Sequence, residues 1–280
     1  MQPKKTSLGR WMAAAGTTIV LVTSLAACGN SDESADTTTS VAVGTGGTGA
    51  QTSSTTTAPT ADFANFCDTW LKIDSTPSPG GPDGPPPADE VKKYAETVKP
   101  LAAELSAEAP PELVEPLATL TAAVDAAAES GKTESMESED FGKASAVGEK
   151  WIHENCGYQN LDVTAIDYAY EGIPLSVATG KTSIQVTNHS THHEMHEMII
   201  LRRKPGVTDP IGSLLALPED QVFAKVDFVG AIFAPMGQSS GTAVDLVKGE
   251  YIAVCFLPVD GKDANPPHFT KGMLAEFKVA

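Results

Sequence analysis

Basic residues are scarce in this chain of 280. Lys and Arg number 19 against 36 Asp and Glu, leaving a formal charge of −17. Nucleic-acid binding draws on Lys and Arg contacts to phosphate, so this balance excludes a nucleic-acid partner. It equally excludes a basic patch for acidic membrane surfaces. Aromatic residues are few, at 6%. With abundant Ala, Thr, Gly and Pro, that scarcity implies solvated segments beside the folded ones. There is no phosphate-cradling glycine loop that ends in Lys-Ser/Thr. The Ser239-Ser240 pair between Gly237 and Gly241 is not read as the nucleophile elbow of a hydrolase. Carboxylates are plentiful, but they fall in loops and on helix faces, where solvation is their ordinary state. The expectation is a protein that is not an enzyme.

Long apolar runs are missing too. The nearest, Trp11 to Ala27, falls short of the roughly 20 residues a spanning helix needs. It follows Lys4, Lys5 and Arg10, the layout of an export signal. The run ends Leu25-Ala26-Ala27-Cys28, which resembles the bacterial lipobox. That resemblance implies removal of 1–27 and acylation of Cys28. The protein would then be held by lipid at the extracytoplasmic face of the cell membrane. Each buried methylene contributes about 0.8 kcal/mol, and two or more acyl chains hold stably. Residues 28–60 are rich in Ser, Thr, Gly and Ala without an aromatic, the composition of a disordered tether.

Only four cysteines occur. Cys28 goes to lipid. Cys67 and Cys156 flank a helical region and are paired as a disulfide, suited to an exported protein. That region, 61–158, reads as a small helical domain. Phe63, Phe66, Cys67, Trp70 and Leu71 share a helical face. Val91, Tyr94, Val98, Leu101 and Leu105 form a second stripe, which Pro100 is expected to kink or break. Pro110-Pro111 open a third helix with Leu113, Leu117, Leu120 and Val124 on one side. Phe141, Val147 and Trp151 mark a last helix. His153 reads as a helix-surface residue. The pattern is similar to helical disulfide domains of actinobacterial lipoproteins.

From 159 the texture changes to short runs split by Gly and Pro: Val163–Tyr170, Ile173–Ala178, Ser183–Thr187, Met198–Arg203, Val222–Val229, Thr242–Leu246, Tyr251–Leu257 and Met273–Val279. Such spacing predicts an antiparallel sandwich over 159–280. The fold class is therefore α+β and multidomain, a small all-α part followed by an all-β part.

One cysteine, Cys255, remains without a partner in an oxidising compartment, and bound metal or deep burial explains it. Cys255, His268 and Met273 lie close together near the end of the chain, and thiolate, imidazole and thioether suit copper. The segment Gly249-Glu-Tyr251-Ile-Ala-Val-Cys255 resembles the Gly-x-Tyr-x-x-x-Cys strand of plastocyanin-like cupredoxins. His268-Phe-Thr-Lys-Gly272-Met273 resembles their His-x-x-x-Gly-Met ending. Val186-Thr-Asn188 followed by His196 is similar to their Asn-then-His loop. The resemblance covers roughly 160–280. It implies a Greek-key sandwich and a type 1 copper held by His196, Cys255, His268 and Met273. It also implies electron transfer or copper handling with a redox or copper-donor protein.

Two departures stand out. Twelve residues separate Cys255 from His268, and Glu197 follows His196 where many cupredoxins carry Asn. His193 is the alternative to His196. His189, His192 and His193 either face solvent or form a loose surface metal site. A metal-free binding or structural sandwich is the other reading of the same residues.

Overall fold

The computed structural model describes residues 63–79, 85–262 and 264–280. The expected leader and tether, with Cys28, lie outside the described residues. The architecture is α+β, with helices followed by a β-sandwich.

Helix α1 spans Ala64–Asp74, α2 Ala88–Ala107, α3 Val114–Ser130 and α4 Glu139–Asn155. Local chemistry sets their ends. Ser138 caps α4 by accepting the Phe141 N–H at 3.2 Å. Gly131 ends α3 at φ 70°, a left-handed conformation that glycine adopts without a Cβ clash. Helix α2 runs unbroken through Pro100, contrary to the expected kink or break. Val91, Ala95, Val98, Ala102 and Leu105 are buried along one stripe on both sides of Pro100. Packing of that stripe outweighs the one lost hydrogen bond.

The sandwich has two sheets. One is ordered β2-β1-β4-β7, from Ala169–Glu171, Gln159–Ile166, Gly180–Asn188 and Ser239–Leu246. The other is ordered β3-β9-β8-β5-β6, from Ser176–Val177, Leu274–Val279, Gly249–Val254, His196–Arg203 and Val226–Ala234. The chain crosses between sheets after β2, β3, β4, β6 and β7, as in a Greek-key sandwich. Three details differ from the sequence expectation. The run 163–170 divides into β1 and β2, which pair as a hairpin around Asp167 and Tyr168. β1 and β4 are parallel, as are β3 and β9, so neither sheet is purely antiparallel. Val222 belongs to a helix α6 (Glu219–Lys225), because β6 starts only at Val226.

Leu161, Val163, Ile184, Val186 and Leu246 face Met198, Ile200, Ile232, Tyr251 and Phe277 across the inter-sheet core. The outer face of the five-stranded sheet is also covered. Ile199, Leu201, Ile252 and Val254 pack under Leu214 and Leu215 of a short helix α5 (Ile211–Leu215) and Val222 of α6. Strand β5 is consequently buried on both faces through its first six residues, His196 to Leu201. That is why its sequence reads as a continuous run rather than an alternation.

Helices α1 and α4 lie against the other sheet. The Cys67–Cys156 disulfide joins the start of α1 to the end of α4, with the Cα atoms 5.7 Å apart. Trp70 packs over Gly148, where a Cβ would overlap the indole ring. His153 is not a free surface group: its Nδ1 lies 3.0 Å from Ser183 Oγ and its Nε2 3.0 Å from Asp162 Oδ1. The ring braces α4 against β4 and β1.

β7 is a sheet edge, and an edge strand presents unpaired N–H groups. Two half-buried carboxylates accept them. Asp74 at the end of α1 takes the Ala243 N–H at 2.7 Å. Glu149 of α4 takes the Gly241 N–H at 2.7 Å and the Ser145 hydroxyl at 2.8 Å. Burial, aided by the charge of Glu149, pushes Asp74 up to about 7 despite those hydrogen bonds. Burial raises Glu149 as well. A raised folded-state carboxyl contributes stability at low pH and loses it as pH climbs through the folded value. Denaturant unfolding should therefore show a contribution from Asp74 that fades between pH 4 and pH 8. The rise from 3.8 corresponds to about 4 kcal/mol, which the partial exposure of Asp74 screens to on the order of 2 kcal/mol. Asp74→Asn, which keeps an acceptor for the Ala243 N–H, should flatten this slope. An unchanged slope would remove Asp74 as its source.

Candidate metal centre

Four sequence elements converge at one end of the sandwich. His196 is the first residue of β5. Side chains alternate along a strand, so His196 shares the inter-sheet face with Met198 and Ile200, while Glu197 takes the opposite face. Cys255 follows directly on β8 and belongs to the same inter-sheet cluster as Tyr251 and Ala253. His268 opens a single 3-10 turn, His268–Lys271. Gly272 closes that turn at φ 117°, which glycine alone adopts freely. The chain reverses there and delivers Met273 to the start of β9.

Backbone hydrogen bonds lace this loop together. The His268 N–H donates to Leu257 O at 2.8 Å and the Phe269 N–H to Cys255 O at 3.0 Å. The Cys255 N–H donates to Met273 O at 3.2 Å, and the Met273 N–H to His268 O at 3.3 Å. The twelve-residue excursion between Cys255 and His268 therefore returns to a fixed place. A Pro258–Pro267 bridge closes its base.

The side chains meet. Cys255 Sγ lies 3.3 Å from His268 Nδ1, and His268 Nδ1 lies 3.2 Å from His196 Nδ1. The three donor atoms all fall within 4.8 Å of one another, the sole such His, Cys or carboxylate cluster among the described residues. Cys255 and His196 are fully buried and His268 is 1% exposed. Met273 is fully buried in the same cluster as Cys255. His193, the alternative to His196, is exposed and lies outside the group, as do His189 and His192.

Burial shapes the protonation states. It brings His196 down to about 4, helped by the neighbouring His268. Burial lowers His268 too, against the opposing pull of Glu194. Burial and the nearby Glu197 carboxyl push the Cys255 thiol far up. With no ion bound, the site is two neutral imidazoles and a thiol near neutral pH.

The site fits a metal on its own geometry. Two imidazole nitrogens and a sulfur are aimed at a common point inside an apolar wall. Nδ1 is the atom that both rings present to the common point, 3.2 Å apart and with Cys255 Sγ 3.3 Å from that of His268, while the buried Nε2 atoms of both rings have no hydrogen-bond partner. A soft or borderline ion accepts that donor set.

Around the donors stand residues that sequence reasoning placed only in part. Asn188 is fully buried and donates from Nδ2 to Glu194 O at 2.9 Å and Ala234 O at 2.8 Å. Its Oδ1 accepts the Ser190 N–H at 2.8 Å. It pins the loop before His196 to the end of β6. Glu197 accepts the Phe256 N–H at 2.7 Å, bracing the residue next to Cys255. Burial raises this carboxyl to about 7. Tyr170 donates its hydroxyl to Glu197 O. Two neighbours were missed altogether. Glu194 Oε2 stands 3.4 Å from His268 Nε2, and the Tyr168 ring meets His268 edge to face at 5.2 Å. Tyr168 falls inside the run 163–170 read as a strand and Glu194 in the histidine-rich loop, and no local pattern distinguishes either.

The Gly237–Gly241 segment does have the Gly-x-Ser-x-Gly spacing, with Ser239 at its centre. It turns from β6 into β7 and not from a strand into a helix. Ser239 Oγ meets Thr187 Oγ1 at 2.8 Å rather than an imidazole. The geometry of a nucleophile elbow is not there.

No family model matches the sequence, and no curated protein matches it. Solved structures do. Auracyanin B matches at 17% identity over 44% of this chain and 88% of its own, with a TM-score of 0.28. Auracyanin A, described as a "blue" copper protein from Chloroflexus aurantiacus, matches at 12% identity over 43% and 98%, with a TM-score of 0.28. An azurin from Methylomonas sp. strain J matches at 16% identity over 44% and 98%, with a TM-score of 0.27. Identities and scores this low say nothing of chemistry, which rests on the donor atoms themselves.

Proposed function

We propose that this is a copper protein of the cupredoxin type, a carrier of electrons or copper rather than an enzyme. Cys255 Sγ, His196 Nδ1 and His268 Nδ1 would hold the ion, with Met273 as the weak fourth ligand. Copper in such a set exchanges one electron between Cu(I) and Cu(II). The observation that carries the reading is the meeting of one thiol and two Nδ1 atoms within 4.8 Å in a fully buried pocket.

The chain's own residues supply rigidity. Cys255 is fixed by the sheet and by its bond to Met273 O. His196 is fixed by β5 and by the Asn188 clamp on the preceding loop. Glu197 holds the backbone beside Cys255. A site that cannot relax changes little between oxidation states, which keeps reorganisation on electron transfer small. The lipid anchor at Cys28 would keep the protein at the extracytoplasmic membrane face, near a redox or copper-donor partner.

Cu(II) added to the full chain should leave one equivalent bound after desalting, with an intense visible thiolate-to-copper band. A colourless protein that loses its copper on desalting would defeat the reading. A colourless protein that retains Zn(II) in preference would replace it with a closed Cys/His zinc site.

A further inference from the structure

An unusual contact lies at the surface beside the buried group. His193 Nδ1 sits 2.8 Å from Met236 Sδ. Both residues are exposed, Met236 at 40%, so no packing force compels an imidazole nitrogen onto a thioether. His193 also adopts φ 61°, in the left-handed region that few residues other than glycine, Asn, Asp and His enter.

The surroundings are rigid. Asn188 ties both segments to itself: its Nδ2 bonds Glu194 O on one side and Ala234 O on the other. Its own backbone bonds Gly237 and Gln238, with the Gly237 N–H on Asn188 O and the Asn188 N–H on Gln238 O, each at 2.9 Å. His193 precedes Glu194, and Met236 precedes Gly237. The pair is therefore clamped from below. It also stands directly beyond the β5–β6 register pair His196 and Ala234, at the same end of the sheet as the buried donors.

The geometry points to a second, exposed metal site, in which His193 Nδ1 and Met236 Sδ take a soft monovalent ion, Cu(I), at the approach to the buried centre. An imidazole and a thioether are poor ligands for hard cations and good ones for cuprous ion. No hard carboxylate has to be displaced there: the nearby acid, Asp167, is occupied by Thr191 and by His192, whose Nδ1 lies 3.5 Å away. His192 is thereby separated in role from His193. The choice of Cu(I) as cargo rests on the copper reading above; the existence of the exposed site does not.

Cu(I) is titrated into the full chain carrying Cys255→Ser with His268→Ala, which removes two of the three buried donors, against a chromophoric Cu(I) chelator under reducing conditions. One equivalent should be retained. Adding His193→Ala with Met236→Leu should abolish it, whereas adding His189→Ala with His192→Ala should leave it intact. In parallel, Ag(I), a redox-inert stand-in, should shift the methyl resonance of Met236 in isotope-labelled protein, a signal that an N–H···S contact with a purely structural role would not produce. The proposal is overturned if the Cys255→Ser/His268→Ala chain binds no Cu(I). It is equally overturned if the His193/Met236 pair can be removed without loss, or if removing His189 and His192 is what abolishes binding. The outcome for the buried centre is read separately, from the visible band of the unmutated chain with Cu(II).

Discussion

Cys255→Ser protein should show no visible thiolate band with Cu(II), and its copper affinity should fall by more than about 100-fold. Removal of groups that merely orient a ligand already costs about 10–100-fold, and Cys255 Sγ is itself one of three donors. A serine hydroxyl is a hard donor that stays protonated near neutral pH, so it cannot replace a thiolate for copper. The fold should survive. Cys255 lies 3.3 Å from His268 Nδ1, so a hydroxyl there has a hydrogen-bond partner and is not stranded in the core. Absorption, metal analysis and a thermal melt on the same sample separate the outcomes. An unaltered band would exclude Cys255 as the ligand. Loss of copper with loss of structure would shift the test to His268→Ala, whose site lies in a surface loop and not on a central strand.

The second large effect concerns the disulfide. Removing Cys67 and Cys156 together, or reducing their bond, should lower unfolding stability by about 4–5 kcal/mol in the chain-entropy account. The closed loop is long, with a sequence separation of 89. Both cysteines are 1% exposed, so the double alanine variant also leaves small voids. The loss should fall first on α1. That helix has only 11 residues and no side-chain cap. Among its other ties are Trp70 over Gly148, the Thr69 hydroxyl on Glu104, the Phe66 ring against Trp151, the Asp74 bond to Ala243 and the Lys181–Asp68 ion pair. Denaturant unfolding followed by tryptophan fluorescence measures this, because Trp70 and Trp151 both pack in that cluster. A midpoint that does not move would show that the clasp adds nothing to these contacts.

Some of the molecule was legible because its signals are local. The helical stripes are periodic, and Val91, Val98 and Leu105 are buried as their spacing requires. Cys67 lies in the first turn of α1 and Cys156 follows the end of α4, and they bond. The strand bearing Cys255 and the turn bearing His268, Gly272 and Met273 have patterns only a few residues long, and each forms as written. Other elements were misjudged because they answer to distant partners. Pro100 stays within a helix because the stripe on either side of it is buried. Val222 leaves its strand for a helix that covers the outer face of β5 and β8. His153 is drawn off the surface by Asp162 of the strand that follows its helix and by Ser183 of β4, 30 residues on.

Composition and short-range order by themselves determined an acidic protein, helices then strands, a cysteine pair, and a second cysteine motif with soft donors close behind. Which histidine completes the group was decided only in three dimensions. His193 and His196 are three positions apart, but the register of β5 against β6 and β8 turns His196 inward and leaves His193, in the loop before the strand, beside Met236. The reach of Glu194 to His268 and the use of Glu197 as a brace beside Cys255 were decided there too. These are meetings of side chains brought together by sheet pairing. Their energy comes from burial and hydrogen bonding between remote segments, and a one-dimensional pattern records neither.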